Sequence, residues 1–228
     1  MFLCLVCLHL NLRAQPSVTD ADGNTYSTLT IGSQVWMAGN LRTTRYRNGD
    51  PIRNVRDNKV WESLPTGAFC VYGHNVEHAE TYGALYNWHA VVDKRGLAPE
   101  GWHIPTKAEW EVLFQFLSDN GYGYEGSGSD IAFSLAANQG WSRAGKDGAI
   151  GTKIKQNNRS GFSALPGGTR NPGGTFVNKG AYGYWWTGND VSDETALAVG
   201  LYNNAQWPAL IESRKTCGYS VRCIKDTE

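Results

Sequence analysis

The chain has 228 residues, in which 21 Lys and Arg balance 21 Asp and Glu. That neutrality excludes the basic footprint of a protein built on DNA, RNA or an anionic membrane, and no internal run is long and apolar enough to span a bilayer. Twelve per cent aromatic residues and 27 glycines point instead to aromatic-rich strands joined by tight turns in one sizeable domain.

Met1 to Leu10 is apolar and is followed by Leu12-Arg13-Ala14-Gln15. This reads as a secretory signal, residues 1–14, cut after Ala14. The rival reading is a lipoprotein acylated at Cys7, although Leu5-Val6 lacks the small residue that usually precedes such a cysteine. Thr25 to Ile31 alternates polar and apolar residues, and Gly32-Ser33 turns it into Gln34-Val35-Trp36-Met37, a hairpin with an inward tryptophan. Asn40 to Tyr46 reads as extended, Ile52 to Thr66 as a long surface loop, and Ala68 to Tyr72 as a short strand. Tyr82 to Val92 combines a strand start with a short helix.

The best-defined element follows. Thr106 is placed to accept from the N–H of Glu109, and Glu109 to reach back, which completes a capping box. Trp110, Leu113, Phe114 and Leu117 then recur at i, i+3, i+4 and i+7, so a helix over about 106–118 has one apolar face in need of a core. A shorter helix is expected between Ser129 and Ala137, with Ser129 as its cap. Asn138 to Ser160, rich in Gly, Asn and Lys, is expected to be loop. Phe162 to Arg170, Tyr182 to Asp190, Thr195 to Tyr202 and Ser220 to Ile224 read as strands, and in the second of these Tyr184, Trp185 and Trp186 should alternate between core and surface. The resulting class is α+β.

Beyond the signal the cysteines are Cys70, Cys217 and Cys223, which allows one disulfide and one free thiol. Six residues of extended strand separate Cys217 from Cys223 by about 20 Å, too far to bridge. Cys70 with Cys223 is therefore the preferred pair, and three buried thiols is the alternative.

Several of these blocks together resemble a known family. Trp36-Met37-Ala38-Gly39-Asn40-Leu41 is similar to its "W-M-A-E-N-L", Tyr82 to Trp88 to "Y-G-R-L-Y-N-W", and Gly101 to Thr106 to "G-W-H-V-P-T". Gly161 to Gly168 and Tyr184 to Thr187 match further blocks, and Gly218 to Asp226 resembles "G-F-S-V-R-C-V-K-D". The family is the Fibrobacter succinogenes major paralogous domain of exported and surface proteins in Bacteroidetes and Fibrobacteres. The resemblance spans residues 22–226. It implies a C-type lectin-like fold shared with formylglycine-generating-enzyme-like domains. Two departures stand out. The second cysteine that the family often carries before "Y-G-R-L-Y" is absent from Glu77 to Thr81, and Ala84 replaces the arginine.

The oxidase chemistry of that superfamily needs paired thiolates for copper, and the closing block makes Cys223 a framework residue. His74, His78, His89 and His103 lack the spacing of a hydrolytic zinc site, and no Gly-x-Ser-x-Gly elbow occurs. Lectin resemblance raises calcium, for which Asp190, Asp193 and Glu194 would supply hard oxygen ligands, with a solvated acidic loop as the alternative. Tyr202, Asn203, Asn204, Gln206 and Trp207 place aromatic faces beside amides, the combination that stacks on sugar rings and satisfies hydroxyls. The expectation is an exported, non-enzymatic domain whose loops between about Asn138 and Trp207 bind a glycan or a surface protein. The alternatives are a degenerate formylglycine-generating-type oxidoreductase and a structural surface component.

Overall fold

The computed structural model describes residues 17–227; the expected signal segment and Cys7 lie outside them. In chain order the strands are β1 (Ser17–Thr19), β2 (Thr25–Ile31), β3 (Gln34–Met37), β4 (Arg53–Asn54), β5 (Ala68–Cys70), β6 (Leu85–Tyr86), β7 (Trp102–His103), β8 (Thr169–Arg170), β9 (Phe176–Val177), β10 (Tyr182–Asp190), β11 (Thr195–Tyr202), β12 (Ala209–Arg214) and β13 (Ile224–Lys225). Among the described residues lie five α-helices, α1 (Asn58–Glu62), α2 (Glu77–Tyr82), α3 (Trp88–Val91), α4 (Lys107–Asp119) and α5 (Ala132–Leu135), and three single 3-10 turns, Tyr72–His74, Tyr124–Gly126 and Ile154–Gln156. This is an α+β arrangement of short sheets with few helices. The orders are β1-β2-β3-β13-β7, β10-β11-β12, β4-β5-β6 and β8-β9, antiparallel throughout except for β4 with β5.

The expected hairpin forms with Ile31 opposite Gln34, and Gly32 takes the left-handed conformation that its turn requires. Trp36 is fully buried. The capping box at α4 is complete, and Trp110, Leu113, Phe114 and Leu117 are all buried. β10 runs between two cores. Trp185 packs with the apolar face of α4, and Trp186 packs on the opposite side with Met37, Tyr86 and Val221. The expected alternation of buried and exposed aromatics is thus corrected: Tyr184, Trp185 and Trp186 are all buried, because both faces of the strand are covered.

The segment expected to be a surface loop, 52–66, is partly ordered. Asp57 caps α1 by accepting from Val60 N, and Trp61 is buried and donates its indole N–H to the Thr216 carbonyl at 2.7 Å. Arg170 explains the anchoring. Its guanidinium lies 4.4 Å from the Trp61 ring centroid and donates to the carbonyls of Val55, Arg56 and Gly174 and to Asn58 Oδ1. The second short helix begins at Ala132 with Ile131 as its cap rather than Ser129, and of the block 162–170 only 169–170 is strand.

Asn40 is the polar centre of the core. Its Oδ1 accepts from Trp185 Nε1 at 2.9 Å and from Arg222 Nε and Nη2 at 3.2 and 2.9 Å, while its Nδ2 donates to the Tyr82 carbonyl at 2.8 Å. Arg222 is buried, donates Nη1 to the Phe162 carbonyl and stands over the Phe162 ring. Burial lowers its pKa. Three of the blocks that carry the family resemblance therefore supply partners to Asn40, which itself sits in a fourth, and the motifs are a framework signature.

Candidate functional site

The five residues expected to bind ligand are not gathered on one face. Adjacent strand positions point to opposite sides of a sheet, and Tyr202 turns to the first core, with ring centroids 4.8 Å from Tyr182 and 5.9 Å from Tyr184. Burial, reinforced by Tyr182, raises its pKa. Trp207 lies on the other side, edge-on to Phe114 of α4 and 44% exposed, in a groove of about 520 Å³ that Leu210 and Pro208 help to line. Asn204 is exposed.

Asn203 and Gln206 have a structural task. Asn203 Nδ2 faces the carbonyls of Ser142 and Arg143 at 3.4 and 3.3 Å, and Gln206 Nε2 donates to the Asp147 carbonyl at 2.8 Å. Backbone bonds from Gly151 to Asn203 and from Ile150 to Ala205 complete the seam. On the far side Trp141, 5% exposed, donates its indole N–H to Ala164. A Cβ at Gly151 would stand 2.5 Å from the Ser142 carbonyl, so only glycine permits that approach. These ties hold loop 138–156 without any strand.

Between the two limbs of that loop opens a cleft of about 490 Å³, within the roughly 300–1,000 Å³ of small-ligand sites. Three amides, Asn138, Gln139 and Gln156, and three cations, Arg143, Lys153 and Lys155, line it. Lys153 Nζ donates to Tyr124 Oη at 2.5 Å. Among the described residues the side chains of the other five make no hydrogen bond or ion pair, so they are available to a ligand. The sequence carried a signal for this site: Arg143, Lys146, Lys153, Lys155 and Arg159 stand against Asp147 alone between 138 and 160. Whole-chain neutrality conceals that local excess.

The carboxylates considered for calcium face cations instead. Asp190 pairs with Lys215 at 2.8 Å, whose ammonium bond holds the carboxyl below its usual range. Asp193 and Glu194 border a hollow shared with His89, Arg214 and Lys215. Among the described residues no three His, Cys, Asp or Glu side chains gather in a metal-holding group.

The expected Cys70–Cys223 disulfide is corrected to free thiols at Cys70, Cys217 and Cys223, all buried. Cys70 sits in a small core with Trp61 and Leu85, and Cys223 in a larger one with Met37 and Tyr86. Burial pushes Cys70 up to about 12, against the lowering influence of Arg170. It also raises Cys217 and Cys223. Neutral buried thiols are poor nucleophiles and poor soft-metal ligands at neutral pH.

His103 lies between two carboxylates, Nδ1 2.6 Å from Asp226 Oδ1 and Nε2 2.7 Å from Glu109 Oε1. Both ring nitrogens therefore donate, which is the imidazolium form. Glu109 Oε2 accepts from the N–H and hydroxyl of Thr106. The arrangement ties the start of α4 to the strand that closes the domain.

The model of the Fibrobacter succinogenes major domain matches residues 29–225. No curated protein and no solved structure matches the chain.

Proposed function

The chain belongs to the Fibrobacter succinogenes major domain family, and from that premise we propose that it is an exported, non-enzymatic domain of C-type lectin-like fold that binds glycans at the cell surface or outside the cell. The observation that carries this reading is the 138–156 cleft, where three amides and two cations without partners, beside Lys153 on Tyr124, line a hollow of sugar size. Hydroxyl groups are well matched by amides, which both donate and accept. The site lies on the long-loop face, while Asn203 and Gln206 support it from behind. Buried thiols with raised pKa values favour binding over a formylglycine-generating type of oxidation.

A glycan array probed with the chain lacking residues 1–14 tests the reading. Bound glycans should be lost in Gln139→Ala/Gln156→Ala and kept in Trp207→Ala. Equal binding by wild type and the double variant would remove the cleft from consideration. Calcium at Asp190 would have to displace Lys215, so binding should survive chelation by EDTA.

A further inference from the structure

We infer that the ligand of this cleft is an anionic polysaccharide, its repeated carboxylate or sulfate groups held by Arg143, Lys153 and Lys155 and its hydroxyls by Asn138, Gln139 and Gln156. This deepens the glycan-binding reading and rests on it. In a chain of zero net charge, residues 138–160 carry five cations and one carboxylate. Arg42, Arg45, Arg95, Lys107 and Lys215 all have carboxylate partners. Among the described residues none of the five loop cations has one; others such as Lys59 and Lys94 also lack one, so the loop is set apart by the clustering of its cations.

No carboxylate lines the cleft. Glu125 and Asp147 come near enough to act on Lys153 through space, and Arg159 is turned away to the Gly123 carbonyl. Clustered like charges repel, and their field concentrates anions at a concave surface. Lys153 is held in place by the Tyr124 hydroxyl, whereas Arg143 and Lys155 are exposed and free to settle on a ligand.

The same charge would attract nucleic acid, but the lining argues against it. Single strands are held largely by stacking of bases on aromatic faces. Trp141 is buried, and Lys153 covers the Tyr124 ring, with Nζ 5.0 Å from its centroid. The exposed side chains that remain in the lining are amides and cations, beside a half-buried Thr152 and Ile154, the chemistry of a charged sugar.

The test is titration calorimetry of the chain lacking residues 1–14 with polygalacturonate, dextran sulfate, neutral dextran and single-stranded DNA, beside the array. Expected is binding to polygalacturonate or dextran sulfate at least about tenfold tighter than to dextran, weakening about tenfold or more from about 50 to about 500 mM salt. Arg143→Gln/Lys155→Gln should lose about tenfold or more in affinity, while Lys59→Gln/Lys94→Gln, a matched charge loss elsewhere on the surface, should lose none. All four positions are exposed, so both variants should keep the wild-type unfolding midpoint. Neutral glycans bound as tightly, without salt dependence, would overturn the anionic inference and leave glycan binding intact. No glycan bound in any arm would overturn both. DNA bound as tightly as the polysaccharides, with the same sensitivity to Arg143→Gln/Lys155→Gln, would replace the polysaccharide by nucleic acid.

Discussion

Asn40 carries more of the core's polar bookkeeping than any neighbour, because one amide oxygen serves both Trp185 and the buried guanidinium of Arg222. Asn40→Ala leaves that cation without its side-chain acceptor, and leaving buried donors unsatisfied costs about 1–3 kcal/mol, more where the donor is charged. Chemical denaturation should show that loss, against a change within about 0.5 kcal/mol for Asn204→Ala at an exposed position. His103 gives a pH-dependent counterpart. Burial alone would lower its pKa, but Asp226 and Glu109 outweigh that and raise it above 6.5. Its contribution is therefore complete below 6.5 and fades as pH climbs through the raised value. Burial pulls Glu109 upward, yet its bonds from Thr106 and His103 leave it below 4.5. Its share is present above 4.5 and fades as pH falls through the lowered value. The difference in melting temperature between wild type and His103→Gln should accordingly be larger near pH 5.5 than near pH 8.5.

At the scale of elements, α4 offers the cleanest perturbation. Thr106→Ala removes the hydroxyl that accepts from Glu109 N and donates to Glu109 Oε2, and loss of an N-cap costs about 1–2 kcal/mol. Leu113→Ala, at a position with no exposure, should cost about 2–5 kcal/mol. Denaturant midpoints check both. That helix and the β2–β3 hairpin were legible in the sequence because their determinants are local: a cap, a period, a two-residue turn. α1 was not, since Trp61 is ordered by Thr216 and Arg170, more than 100 residues away in the chain. β12 was equally obscure: its burial alternates, but Leu210 on the exposed side and Ser213 on the inward side break the polar–apolar pattern that would have announced it. The cleft was half legible. Residues 138–160 read correctly as loop, but the amides of Asn203 and Gln206 looked like ligand contacts when they are ties to backbone carbonyls. Nothing within a single stretch distinguishes an amide aimed at solvent from one aimed at a neighbouring loop.

For the molecule as a whole, the separated thiols make a direct test of the frame. The chain lacking residues 1–14 should show no cysteine accessible to iodoacetamide when folded and three alkylated sites by mass spectrometry after denaturation without reductant. One alkylated site would mean that two of the three are bridged. The division of labour in loop 138–156 reaches further. The side chains that pin it, Trp141, Asn203, Gln206 and Thr152, are distinct from the free ones that line it. On the proposed reading, a mutation at Asn138, Gln139, Arg143, Lys155 or Gln156, all exposed, alters what the hollow accepts while leaving those ties in place. Under the proposed glycan-binding reading, copies of this scaffold can diversify their targets one exposed position at a time, at little cost in stability.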